Sequence, residues 1–161
     1  MTPVNSETLQ ALTAGISSEV ASYVFYLEAS KKPEAADFKG MLEDLAMEEK
    51  KHFQILERQH NSLIRSEQWI SLADVLKEEG LPEINEEMAD VHSNLIDKVR
   101  SAGSAREVLD IAYRLEEEAR DLFADQIDKT KSEEGRKMFR ELAKFEAGHM
   151  KMIDQMRQKY S

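Results

Sequence analysis

The sequence predicts an all-α protein, a four-helix bundle made of two helical hairpins joined by a long, partly helical crossover. Apolar residues recur every three or four positions through four long segments, which is the period of an amphipathic helix. Helix breakers separate the segments within each pair, at Pro33 and around Thr130 to Ser132. The second pair also repeats the first at an offset of 97 positions, since Glu49 to Glu146 and His52 to His149 span the same interval.

The first helix reads from Ser6 to about Lys31, with Leu9, Leu12, Ile16, Val20, Tyr23 and Leu27 on one face. Ser6 suits its N-cap, and Lys31 and Lys32 bring cations to the negative end of the helix dipole. Pro33 breaks the run and suits the first residue of a second helix, which carries Phe38, Met41, Leu42, Leu45, Ala46, Phe53 and Leu56 inward to about His60. Residues 61–103 form the crossover, with Trp69, a helical run from Ser71 to Glu79, a break at Gly80-Leu81-Pro82, and an amphipathic piece carrying Met88, Val91, Leu95, Ile96 and Val99. A bundle of about 38 Å needs only about a dozen extended residues to cross, so the surplus must pack over its own bundle or against a partner. Ser104 caps a third helix with Val108, Ile111, Leu115, Ala119, Leu122 and Ile127 inward, ending near Thr130. Ser132 opens a fourth, with Met138, Phe139, Leu142, Ala143, Phe145, Met152 and Ile153 on its inner side.

At 161 residues the chain (1–161) fits one domain with a sizeable core. Its 32 acidic against 22 basic residues give a formal net charge of −10, a field that repels nucleic acid and attracts cations. The absence of cysteine excludes disulfides, thiolate metal sites and a thiol nucleophile in this chain. The stretch Met1 to Glu7 has neither the basic region nor the apolar run of a secretory leader, and no segment reaches bilayer-spanning length. A soluble, cytoplasmic protein with no nucleic-acid or membrane partner is expected.

Glu49 and His52 are three positions apart, so they project from one helix face about 5 Å apart along the axis, a ready pair of metal ligands. The pattern is cheap in a glutamate-rich chain, but its copy at Glu146 and His149 changes its weight. The same offset pairs Glu19 with Glu116, Leu12 with Leu109, Leu45 with Leu142 and Ala46 with Ala143. Each half reads Glu, an interval of thirty, then Glu-x-x-His. In an antiparallel hairpin, residues at one height are equidistant from the turn. The midpoint of 19 and 49 is 34, beside Pro33, and that of 116 and 146 is 131, between Thr130 and Ser132. Glu19, Glu49, His52, Glu116, Glu146 and His149 therefore converge in the bundle interior. Buried, unpaired carboxylates cost many kcal/mol, so they must be protonated or neutralised, and two divalent cations balance four carboxylates.

A Glu from each of two helices with Glu-x-x-His from each of the other two is the ligand pattern of ferritin-like di-metal carboxylate proteins. On the stretches Leu115 to Phe123 and Glu141 to His149, the chain resembles the ferritin-like superfamily, and within it the rubrerythrin-type di-iron domains. The resemblance covers both hairpins, about Ser6 to His60 and Ser104 to Tyr160. It implies two iron ions held by the six residues above, with Glu49 and Glu146 bridging; manganese or zinc also suits such donors. It further implies an oxidoreductase that reduces peroxide or oxidises Fe(II) with O2 or H2O2, in a homodimer or higher homo-oligomer. Two departures stand out. Rubrerythrins with a seventh protein ligand carry a Glu where this chain has Ala119, and the Cys-ligated iron module of full-length members has no counterpart here. An external electron donor is therefore expected. Iron storage without turnover and a zinc-filled structural bundle are the alternatives.

Other candidates weigh less. Glu57 and His60 also form Glu-x-x-His but lack a repeat partner, and His92 has no acidic residue three positions back. Glu48, Glu117 and Glu118 fall out of register and are read as solvated. Tyr26, seven positions after Glu19, is placed to donate a hydrogen bond to a ligand carboxylate from outside the metal shell or to supply an electron, but a core aromatic is the preferred reading. The methionines read as flexible core filler.

Overall fold

The computed structural model describes residues 6–78 and 80–160. The leader-free reading of residues 1–5 and the Glu79 end of the crossover's first helical run lie outside them. Four long helices form the bundle: α1 (Ser6–Ser30), α2 (Lys39–Ser66), α6 (Ala105–Lys129) and α7 (Glu133–Arg157). Three short helices, α3 (Leu72–Leu76), α4 (Glu86–Asp90) and α5 (Ser93–Ser101), punctuate the crossover.

The expected caps form at α6 and α7. Ser104 Oγ accepts from the Glu107 N–H at 3.1 Å, and Glu107 reaches back to the Gly103 N–H at 3.0 Å, which satisfies two donors at the start of α6. Ser132 Oγ accepts from the Gly135 N–H at the start of α7. Other boundaries differ from the sequence reading. Pro33 opens a 3-10 helix (Pro33–Phe38), and α2 begins only at Lys39. It then continues past His60 to Ser66, because Leu63 prolongs the buried face of Leu56 by two turns. Glu67 ends it in the left-handed region, at φ 57°, with its N–H bonded to the Leu63 carbonyl. The amphipathic piece after Pro82 is two helices, since Asn85 caps α4 and the chain turns at Val91 and His92. Val91, read as inward, is 76% exposed, and Phe145 and Met152 on α7 are also exposed.

The hairpins α1–α2 and α6–α7 pack most closely within themselves, and α1 also packs along α6. Across the remaining side, α2 and α7 meet through side chains rather than close backbone approach, His52 stacking on His149 at 5.9 Å. The surplus crossover packs on its own bundle. The buried Gln59 amide bonds both the N–H and the carbonyl of Ile70, at 2.9 and 2.7 Å. Farther along, Ile84, Met88, Ala89 and Ile96 cover Val20, Val24 and Phe53, and Arg100 pairs with Glu28 at 2.6 Å.

The two largest apolar clusters fill opposite ends of the bundle. Phe25, Tyr26, Phe38, Leu42, Leu45, Val108, Leu109 and Ile153 fill one end. Leu12, Leu56, Phe123, Met138, Phe139 and Leu142 fill the other. On each of the four long helices, the buried Glu or Glu-x-x-His lies between these clusters. Apolar burial at both ends, worth about 1.5–3 kcal/mol for each large side chain, is what holds a layer of carboxylates in the interior.

Candidate metal centre

All six residues of the repeat meet in that layer. Glu19 from α1, Glu49 and His52 from α2, Glu116 from α6, and Glu146 and His149 from α7 are buried. They form two overlapping sets, Glu19, Glu49, His52 and Glu146 in one, Glu49, Glu116, Glu146 and His149 in the other. Within each set one donor atom per residue lies within 4.8 Å of every other. Both imidazoles present Nδ1. His52 Nδ1 is 3.0 Å from Glu146, 3.7 Å from Glu19 and 3.8 Å from Glu49. His149 Nδ1 is 2.9 Å from Glu49, 3.4 Å from Glu116 and 3.5 Å from Glu146. Glu49 and Glu146 thus face both sets, while Glu19 and Glu116 each face one.

This donor set fits two cations. Both oxygens of Glu19 and Glu49, Oε2 of Glu116 and Glu146, and Nδ1 of His149 are buried without a hydrogen-bond partner. Orphaned atoms of this kind are rare in a folded protein unless something else satisfies them. The proton affinities agree. Burial and the Glu146 charge raise Glu19 well above its ordinary value, and burial with the Glu19 and Glu146 charges does the same to Glu49. Glu116 is raised by burial and by Glu49 and Glu146. Burial also pushes Glu146 upward, but its close contacts with Glu116, His149 and His52 outweigh it and hold this carboxyl well below the ordinary range. Burial lowers both imidazoles, yet contacts with the carboxylates overcome it, Glu146 and Glu49 at His52 and Glu116, Glu146 and Glu49 at His149. Protons thereby offset part of the buried negative charge, as bound cations would.

The rubrerythrin family model matches residues 10–157. The chain belongs to the rubrerythrin family. Its ferritin-like bundle is similar in structure to a hypothetical protein from Pyrococcus furiosus, with a TM-score of 0.66 over 93% of this chain and 87% of that one, at 22% identity. No curated protein matches the chain at a significant level.

Within this rubrerythrin domain, two residues outside the six bear on the centre. The Tyr26 hydroxyl donates a hydrogen bond to Oε1 of Glu116, so Tyr26 is not merely a core aromatic. Burial and the Glu116 and Glu49 charges raise its pKa well above the usual value, which keeps the O–H proton in place. Glu48, expected on a solvated face, has a half-exposed carboxylate that reaches across the α2–α7 seam to His149 Nε2. Its own helix gives no hint of this, because the partner lies on another helix; the register that sets α2 beside α7 was the available signal. Glu117, Glu118, His60 and His92 stand outside both sets. Ala119 is buried with no donor atom to offer, as the sequence indicated.

Among the described residues no helix is long and apolar enough to cross a membrane.

Proposed function

We propose that the chain is a di-iron oxidoreductase that reduces peroxide or oxidises Fe(II) with O2 or H2O2. The observation that supports this reading most is the pair of overlapping donor sets sharing Glu49 and Glu146, which would hold two ions side by side. Glu19 and His52 would complete one position, Glu116 and His149 the other. Two iron ions held there would supply the two electrons that reduction of H2O2 to two waters requires, with the two protons taken from solvent. Carboxylates suit such a site because they accept one or two contacts and adjust as the charge changes, while each imidazole contributes one fixed nitrogen. Tyr26 orients Glu116 through its hydroxyl. The side chains of Phe145 and Glu48 stand over the two imidazoles on the α2–α7 side and narrow the approach of water. With no cysteine in the chain, reducing electrons come from a separate donor.

The test is steady consumption of H2O2 by iron-loaded protein with an added reductant. Turnover that Glu49→Ala abolishes supports the proposal. Iron-loaded protein that stays inert to both H2O2 and O2 overturns it and leaves iron storage or a zinc-filled bundle.

A further inference from the structure

The repeat that makes the two halves of the centre alike fails at Glu48 and Phe145. Glu48 and Phe145 are separated by the same 97 positions as Glu49 and Glu146, so they occupy equivalent places in the two halves. Both lie on the seam between α2 and α7, and each covers the imidazole of the opposite half. Glu48 contacts His149 at Nε2. Phe145 packs on His52, with ring centroids 5.3 Å apart. One imidazole is therefore backed by a carboxylate and the other by a phenyl ring. The polar contacts of His52 run through Nδ1, and no acceptor among the described residues bonds its Nε2.

We propose that Glu48 makes the two metal positions unequal, so that a divalent cation is held more tightly beside His149 than beside His52. This inequality rests on the di-metal reading above and deepens it. A ligand imidazole binds a cation through one nitrogen, and a carboxylate on the other nitrogen fixes the ring's orientation and raises its basicity toward the metal. Glu48 supplies that carboxylate at the nitrogen facing away from the centre, while Nδ1 of His149 faces Glu49, Glu116 and Glu146. No Lys or Arg among the described residues forms an ion pair with Glu48, so its charge is available to the ring. The phenyl of Phe145 shields His52 but cannot accept a proton from it. Glu48 is a positioning residue in this account, acting on the metal through His149.

The experiment is a titration of the metal-free full chain with Co(II), followed by calorimetry and by the visible absorption of the bound ion. Repulsion between neighbouring ions separates the two binding steps in any variant, so the change on substitution carries the test. Glu48→Ala is expected to weaken the tighter step by about 10–100-fold and to leave the other within about twofold. Glu48→Gln, which retains an acceptor oxygen without the charge, is expected to fall between. Phe145→Glu, which places a carboxylate beside His52, is expected to tighten the weaker step. Both positions are half exposed, so folding is checked simply by an unchanged helical circular dichroism. A wild type that takes up fewer than two ions defeats the di-metal reading itself. A wild type that binds two, with steps that Glu48→Ala shifts equally or not at all, overturns the role of Glu48 alone.

Discussion

The Tyr26 hydroxyl and Oε1 of Glu116 are hydrogen-bonded inside the bundle, and both side chains are fully buried. The bond joins α1 to α6, the two helices that each contribute a single carboxylate to the centre. Tyr26→Phe keeps the ring and deletes the donor, leaving Glu116 Oε1 orphaned beside the already unpartnered Oε2. Such a loss costs about 1–3 kcal/mol. The metal-free variant is expected to melt roughly 3–10 °C lower than wild type by circular dichroism. An unchanged melting temperature would count against the bond.

Glu49 faces both donor sets, so its removal is expected to disable both. In the metal-free protein its pKa is well above the ordinary value, through burial and the Glu19 and Glu146 charges, and Gln resembles the protonated carboxyl closely. Glu49→Gln should therefore leave the metal-free melting temperature at or above that of wild type. The gain on adding metal is a different matter. A ligand at a hundredfold excess over its Kd stabilises the folded state by about 2.7 kcal/mol. Wild type should show that rise with Mn(II) and the variant should not, as measured by thermal melts with and without the ion. A full metal-induced rise in Glu49→Gln would refute its shared place in both donor sets.

The metal-free protein should lose stability as pH rises from mildly acid to mildly alkaline. Glu19, Glu49 and Glu116 have folded-state pKa values raised well above the ordinary 4.5, chiefly by burial. Each holds its proton more tightly when folded, so its contribution is present below 4.5 and is lost as pH rises through the folded value. His52 and His149 act in the same direction, with contributions present below the ordinary 6.5 and lost above it as the folded values are passed. Glu146 is depressed, so its contribution is present above 4.5 and fades in acid, which sets the lower edge. Metal competes with these protons and should reverse the trend. Melts of the metal-free and Mn(II)-loaded chain between about pH 5 and pH 8 check both slopes, and parallel slopes would contradict this assignment.

The centre was legible because its signal is relational. A single Glu-x-x-His says little, but the 97-position offset and the thirty-residue interval constrain four helices at once, and the buried layer contains the six residues so marked. What stayed hidden depends on distances between helices. Phe145 has the period of an inner residue, yet it lies on the seam where α2 and α7 meet through side chains rather than close backbone approach, and it is half exposed. Glu48 looks like any solvated glutamate until His149 is placed across that same seam. Pro33 marked the turn correctly, but the backbone there closes into a 3-10 helix, and nothing in the apolar period separates that from a first α turn.

Gly135 ties the crossover to the far hairpin and supplies a test independent of the metal. An added Cβ there would lie 2.6 Å from Thr130 Cγ2 and 2.8 Å from Trp69 Cζ2, closer than real contacts allow. Trp69 cannot simply withdraw, since its ring sits edge-on to Phe139, with centroids 6.2 Å apart, and the adjacent Ile70 is bonded to the buried Gln59 amide. Overpacking of this kind costs about 1–3 kcal/mol. Gly135→Ala is therefore expected to lower the melting temperature by roughly 2–10 °C and to move the emission of Trp69, the chain's one tryptophan, toward longer wavelength as the ring is displaced into water. Co(II) uptake should be retained, because Gly135 lies outside both donor sets on the first turn of α7. Unchanged emission with unchanged stability would show that the crossover does not pack on Gly135 in solution.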